Sequence, residues 1–215
     1  MKRDEILQSA QKAVVEANGA LVDETARRGL DEGIDPLELM NEGFIPGINK
    51  VGDLFGIGKL FLPELIQSAE VMQKATDIIN AALPEDQEKG MGKIVVGTVE
   101  GDIHDIGKTI VVSLFKANGF EVVDLGRDVP VDRFIEEAEK AGAQIIGSSA
   151  LLTTTMEGQK KIEQELKKAN LRDKYKTIVG GAPVTQRWAD RIGADAFAED
   201  AADGIRKAKA LLGKG

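Results

Sequence analysis

The chain of 215 residues contains no cysteine and a single histidine, His104. Without cysteine there can be no disulfide bond, no thiolate nucleophile and no cysteine-bound iron–sulfur cluster. With one histidine, a zinc site built from several histidine or cysteine ligands is excluded, and a Ser-His-Asp mechanism could use only His104. Any chemistry that needs an imidazole must therefore use this one residue.

Basic charge and long apolar runs are also lacking. The 28 Lys and Arg residues are outnumbered by 36 Asp and Glu, which gives a formal net charge of −8. Nucleic acids and anionic membranes both attract basic patches, so neither is an expected partner. No apolar run approaches the ~20 residues of a membrane span, and residues 1–5 lead into no apolar signal core. We therefore expect a cytoplasmic protein.

Hydrophobic periodicity divides the chain into two parts. Residues 4–83 repeat apolar side chains at helical spacing, and turn-forming residues interrupt the pattern three times. This predicts four helices and hence a small bundle. The polar segment 84–92 is typical of a linker, so the expected domains are 1–90 and 91–215.

In the second part, short β-branched runs alternate with helical patterns. This alternation predicts a five-stranded parallel sheet with helices on both faces, an α/β doubly wound, flavodoxin-like Rossmann fold. Such sheets bind ligands beyond the carboxyl ends of their strands. The strands are expected near residues 93–98, 121–125, 144–148, 177–179 and 196–198.

The loop after the first expected strand is the most informative segment. Residues 98–109 read Thr-Val-Glu-Gly-Asp-Ile-His-Asp-Ile-Gly-Lys-Thr. A phosphate-binding P-loop would place four residues between its first glycine and Gly-Lys-Thr, whereas five separate Gly101 from Gly107. Three acidic side chains in the loop would also repel a triphosphate. A nucleotide site is therefore disfavoured.

The same loop contains Asp-x-His-x-x-Gly, and with this motif the chain resembles cobalamin (corrinoid) binding domains. Neutral imidazole is a good cobalt ligand, and an acid two residues earlier can accept its other ring N–H. The resemblance implies His104 as lower axial ligand of a base-off corrinoid whose tail is buried in the protein. The alternative is an ordinary surface or core histidine. The cofactor-binding residues implied in this loop are Gly101, Asp102, Ile103, His104, Asp105, Ile106 and Gly107.

Two later segments match the same family. After the third strand, Ser149 and Leu151 match its Ser-x-Leu segment, and Thr153 is expected to face the cofactor tail with them. Thr155 stands where relatives similar to methionine synthase have a serine that hydrogen-bonds the motif aspartate, which implies an Asp102–Thr155 link.

After the fourth strand, Gly180, Gly181 and Ala182 match the Gly-Gly segment of the family, and Ala201 occupies the place of a further tail contact. Small residues would let the tail run against the backbone. The alternative is that these are ordinary turn residues of any doubly wound sheet.

The helical part resembles the cap of methionine synthases and corrinoid methyl carriers, in which apolar side chains cover the upper face of the corrin. The resemblance, carried by residues 49–69, implies contacts from Phe55 and Leu62, a lesser one from Leu65 and a polar one from Glu42. The alternative is that the apolar three fill the bundle core.

The resemblance covers essentially the whole chain and implies a corrinoid methyl carrier of methylamine, betaine or methanol methyltransferase systems. A substrate-specific methyltransferase would methylate Co(I) to methyl-Co(III), a corrinoid:acceptor methyltransferase would remove the methyl group, and a reductive activator would restore Co(I). The chain is not expected to turn over alone. Two alternatives stay open: a cobalamin-dependent sensor or storage module, and a response-regulator-like signalling domain with phosphate transfer to Asp102 or Asp124.

Overall fold

The computed structural model describes residues 2–83, 90–104 and 106–214. The chain forms two compact units, the first made mainly of residues 1–90 and the second mainly of residues 91–215. Most of the expected linker lies outside the described residues. In the described ranges, no helix combines the length and apolar character that crossing a bilayer requires.

The first unit is helical, and its helices begin where capping residues stand. Asn18 accepts a hydrogen bond from the N–H of Leu21, and Asp35 accepts two from the first turn that follows it. Pro36 in that turn has no N–H group, so it leaves no donor that needs an acceptor. The bounds are α1 Lys2–Val15, α2 Gly19–Asp31, α3 Pro36–Glu38, a π-helical segment Leu39–Phe44, α4 Ile45–Gly56 and α5 Leu62–Ala82.

The predicted bundle of four helical segments is confirmed, with one feature that periodicity missed. The third segment runs from α3 into α4 through six π-helical residues. Gly43 lies in this stretch, and a Cβ there would stand 3.0 Å from the Cβ of Ala10. The absence of a side chain thus lets the π-helical turn pack closely on α1.

The second unit is a five-stranded sheet in the order β2-β1-β3-β4-β5, with every neighbouring pair parallel. This order confirms the flavodoxin-like prediction. The reversal of strand order falls between β1 and β3, where Thr98 pairs with Ser149 near the carboxyl ends. The strands are β1 Lys93–Val99, β2 Glu121–Val129, β3 Ile145–Ser149, β4 Lys176–Gly180 and β5 Ala196–Ala198; the helices are α6 Ile106–Ala117, α7 Val131–Ala141, α8 Met156–Lys168, α9 Gln186–Ile192 and α10 Ala201–Leu211.

Strand β2 corrects the sequence analysis. It was expected to end at Leu125, but it continues to Val129. Its register against β1 shifts twice, between Val96 and Gly97 and between Gly97 and Val99. These irregularities let a segment with glycine and charged residues stay paired, although such residues are depleted in regular strands.

Candidate cofactor site

The loop that follows β1 is organised around the carboxylate of Asp102, which is fully buried. Its Oδ1 accepts the backbone N–H of His104 at 3.1 Å and lies 2.9 Å from Nδ1 of the imidazole ring. Its Oδ2 accepts the N–H of Leu151 and the hydroxyl of Thr155, each at 2.7 Å. The Asp102–Thr155 link implied by the sequence is therefore present, and the loops after β1 and β3 meet at one side chain.

These hydrogen bonds keep Asp102 ionised. Burial by itself raises the pKa of a carboxyl group, but the bonds from Leu151, Thr155 and His104 outweigh it and hold the pKa of Asp102 well below its usual range. An ionised carboxylate can only accept, so Nδ1 of His104 must carry its proton. The lone pair is then on Nε2, as a metal-binding imidazole requires.

The imidazole of His104 is half exposed, with 48% of its side-chain surface open to solvent. Ile103 and Ile106 on either side are 64% and 72% exposed, and Leu151 and Leu152 of the neighbouring loop are also exposed. Exposed apolar groups around one polar ligand atom suit a large, mainly apolar partner. A histidine packed in the core would have a far smaller exposed fraction than His104.

Beside the loop lies a mainly apolar cleft of about 700 Å³ at the carboxyl ends of the strands. Such clefts in open α/β sheets are where ligands bind. Several residues implied as tail contacts line it: Gly107, Ser149, Gly180, Gly181, Ala182 and Ala201.

Gly181 shows why the cleft wall needs small residues. Its φ of +122° is strained for any residue with a side chain, and a Cβ would stand 1.8 Å from the carbonyl oxygen of Ala150. The N–H of Ala150 in turn donates to the carbonyl of Gly180 at 3.1 Å. The loops after β3 and β4 therefore touch backbone to backbone.

Lys108 is a cleft residue that the sequence analysis missed. Its buried ammonium group donates to Asp124, with Nζ 2.6 Å from Oδ2. The ion pair compensates for the charge that Lys108 brings into an apolar cleft. The sequence analysis considered Lys108 only in the P-loop alternative and Asp124 only in the signalling alternative, so their pairing was not predicted.

Gln159 on α8 was also missed. It is buried, donates to the carbonyls of Ser148 and Gly180, and accepts the indole N–H of Trp188, each at 3.0 Å. One side chain thus joins the ends of β3 and β4, and it uses both amide donors. Its position on the buried helix face that also carries Ile162 was the available signal, because a polar residue on an apolar face needs partners.

Thr153 and Asp105 are two further residues that the resemblance implies as cofactor contacts. Thr153 is exposed in the turn before α8 and is absent from the described residues that line the cleft, because the chain turns away there to begin the helix. The contact of its hydroxyl with the cofactor tail stays a prediction. Asp105 lies outside the described residues.

In the helical unit, the implied cap residues differ in exposure. Phe55 and Leu62 are partly exposed at the end of α4 and the start of α5, and the strongly exposed Ile57 and Phe61 between them were not anticipated. Leu65 is fully buried, so it packs in the core, and the expected cofactor contact is corrected in favour of the alternative.

Glu42 is exposed, as a polar contact would require. Its carboxylate already accepts a hydrogen bond from the guanidinium of Arg3 at 2.9 Å. Arg3 also donates to Glu38, so Glu42 belongs to a surface ion-pair group.

Comparison with known proteins identifies the family. Two sequence models, both described as a B12 binding domain, match residues 6–80 and 92–207. The chain belongs to the B12-binding corrinoid proteins. Its relatives in this family include a trimethylamine corrinoid protein of Methanosarcina barkeri, 47% identical over 98% of both chains, and dimethylamine corrinoid protein 2 of Methanosarcina acetivorans, 46% identical over 98% of this chain and 97% of the relative. Among solved structures, the methanol:cobalamin methyltransferase complex MtaBC of Methanosarcina barkeri matches with a TM-score of 0.81 and 31% identity over 99% of this chain and 81% of that chain.

Proposed function

We propose that this corrinoid protein carries a methyl group on the cobalt of a bound corrinoid between a substrate-specific methyltransferase and a corrinoid:acceptor methyltransferase. The observation that carries the proposal is the imidazole of His104. Its tautomer is fixed by a buried, ionised aspartate, its Nε2 is available, and it stands beside a cleft of about 700 Å³. Relatives that cover 98% of the chain are named as trimethylamine and dimethylamine corrinoid proteins.

The residues present fit the cofactor. His104 would supply the lower axial nitrogen. Asp102 would accept the hydrogen bond from Nδ1 and so keep the proton on that atom, whether or not His104 is bound to cobalt. The cofactor tail, with its own base displaced, would enter the cleft, whose lining includes Gly180, Gly181 and Ala182. When bound, the corrinoid supplies a cobalt centre that accepts and gives up a methyl group. The described protein residues contribute binding, ligand orientation and control of one proton.

We infer a methylated amine as the source of the methyl group. Relatives named for trimethylamine and for dimethylamine match this chain at 47% and 46% identity, whereas the methanol complex matches at 31%. The near-equal match to relatives of both names supports methylated amines as a class rather than one particular amine. The proposal also includes a reductive activator as partner and a cytoplasmic location, both of which the sequence analysis expects.

The test combines the reconstituted protein with its partners one at a time. Protein loaded with reduced cobalamin is mixed with a methylated amine, first alone and then with an amine:corrinoid methyltransferase, and methylation is followed by visible absorption. We expect rapid methylation only with the methyltransferase, and release only with an acceptor methyltransferase. Corrinoid binding without methylation in any mixture would indicate a sensor or storage module, and repeated turnover by the chain alone would indicate an enzyme in its own right.

The role of His104 needs a separate variant. His104→Ala is expected to bind cobalamin, because the cleft is untouched, but with a shifted visible spectrum. Identical spectra for the variant and the parent protein would remove His104 from the coordination sphere.

A further inference from the structure

Asp128, near the end of β2, has an unusual backbone. Its φ is +55°, in the left-handed region that residues with side chains rarely adopt. Aspartate tolerates this region better than most residues, but glycine adopts it freely. Asp128 is exposed, so core packing does not account for the conformation.

The conformation lets Asp128 form two hydrogen bonds to the loop that carries His104. Its Oδ1 accepts the N–H of Gly101 at 2.7 Å, and its own N–H donates to the carbonyl of Asp102 at 3.0 Å. The two bonds thus tie both Gly101 and Asp102 to Asp128. Gly101 is also left-handed, with a φ of +81°, a conformation that glycine adopts freely, so of the two residues only Asp128 is held in a conformation unusual for its residue type.

This arrangement connects Asp128 to the histidine through Asp102. The side chain of Asp102 holds both the backbone and the ring of His104, whereas its main-chain carbonyl is held by Asp128. A shift of the Asp102 backbone would move the carboxylate that accepts the hydrogen bond from Nδ1 of His104. The side chain of His104 would then lose its fixed orientation without any change to the histidine or to its direct partner.

We propose that Asp128 is a positioning residue that presets the His104 loop for cobalt binding, an inference that rests on the proposed role of His104 as lower ligand. The side chain supplies the acceptor for Gly101, and the left-handed backbone supplies the donor for Asp102. Outer partners of this kind orient a metal ligand, and their loss commonly weakens metal binding about 10–100-fold.

Three substitutions separate these contributions. Asp128→Asn keeps an acceptor oxygen and tolerance of the left-handed region, so it removes only the charge. Asp128→Gly keeps the backbone conformation but removes the acceptor. Asp128→Ala removes the acceptor and disfavours the conformation. Asp132→Ala, at an exposed aspartate of α7, is the matched control.

The first measurement uses protein without corrinoid. His104 is the only histidine, so nitrogen-15 NMR of its ring gives one unambiguous pair of resonances. The parent protein, Asp128→Asn and the control should show a single tautomer with the proton on Nδ1. Asp128→Gly and Asp128→Ala should show averaged tautomers, and because the glycine variant avoids backbone strain, it tests the idea even where the alanine variant folds poorly.

The second measurement is EPR of the same proteins loaded with cob(II)alamin. Uniform nitrogen-15 labelling of the protein distinguishes coupling to His104 from coupling to the base of the cofactor. We expect the fraction with histidine-coupled cobalt to be within about twofold of the parent for Asp128→Asn, and the histidine-bound equilibrium to fall about tenfold for Asp128→Gly. Unchanged NMR and EPR in the glycine and alanine variants would overturn the positioning role. Absence of protein-nitrogen coupling in the parent protein would overturn the ligand assignment instead, and the NMR comparison would still decide whether Asp128 orients the ring.

Discussion

Replacing Asp102 by asparagine exchanges one carboxylate oxygen for an NH₂ group at a fully buried position. The two oxygens of Asp102 each accept a backbone N–H, from His104 on one side and from Leu151 on the other. In either orientation the new NH₂ group must face one of these N–H groups, and two donors cannot pair. The variant therefore leaves one buried donor without an acceptor and weakens the remaining charge-assisted bonds.

The expected loss of stability follows from this one unpaired donor and the weakened remaining bonds. An unsatisfied buried donor costs about 1–3 kcal/mol, and bonds to a charged acceptor are stronger than bonds to a neutral one. We therefore expect Asp102→Asn to lower the free energy of unfolding of the α/β unit by about 3 kcal/mol at neutral pH. Such a loss is a large fraction of the stability of a typical domain.

The difference should depend on pH in a direction that the pKa fixes. The pKa of Asp102 is depressed in the folded protein because hydrogen bonds outweigh its burial, whereas the unfolded value is about 3.9. Stability contributed by the ionised form is complete above the unfolded pKa and is lost as pH falls through the folded pKa. The gap between parent and variant should stay constant above about pH 5 and narrow below about pH 4.

Urea unfolding followed by Trp188 fluorescence measures this gap, because Trp188 is the only tryptophan and lies in the α/β unit. Asp173→Asn, at an exposed aspartate of the same unit, is the matched control and should unfold like the parent. A free energy of unfolding for Asp102→Asn within about 0.5 kcal/mol of the parent, or a gap that persists unchanged to pH 3, would refute the reasoning.

Three further predictions concern the cleft and the unit that contains it. Gly181→Ala should lower the free energy of unfolding by at least about 3 kcal/mol, because its Cβ would stand 1.8 Å from a carbonyl oxygen. Gly107→Ala, whose Cβ would have nothing within 4 Å, should stay within about 1 kcal/mol of the parent. Urea unfolding midpoints of the two variants test the difference. Gln159→Leu should cost about 3 kcal/mol and shift the emission of Trp188, because one buried and two partly buried partners lose their bonds to the amide. An unchanged emission maximum would contradict the contact. Residues 90–215 alone should fold and bind cobalamin in a gel-filtration assay, and co-elution only with the full chain would show that the unit is not autonomous.

The fold could be predicted because its signals are local. Helical periodicity and capping residues such as Asp35 mark the helices, and β-branched runs such as residues 93–98 mark buried parallel strands. Even the three-residue strand β5 was found at its observed bounds. The π-helical segment was not, because its i to i+5 hydrogen bonds leave no distinct spacing in so short a stretch.

The site was predictable where its partners are near in sequence or where the resemblance to known relatives implied them. Asp102 reaches His104 two residues away, and its link to Thr155 was implied by the resemblance. The pairing of β1 with β3 explains why the two loops meet. Lys108 and Asp124, by contrast, are sixteen residues apart and on different elements. A single charged residue carries no periodic signal that would identify its partner.

The hydrogen bonds of Asp128 are the clearest example of contacts that could not be predicted from the sequence. Predicting its bonds to Gly101 and Asp102 would require knowing that β2 continues beyond Leu125, yet that extension depends on register shifts against β1. Those shifts arise from pairing between strands, whereas the sequence there shows glycine and charged residues that argue against a strand. The short Asp-x-His motif therefore predicts the ligand that we propose, but the support that we propose for it depends on how a neighbouring strand ends.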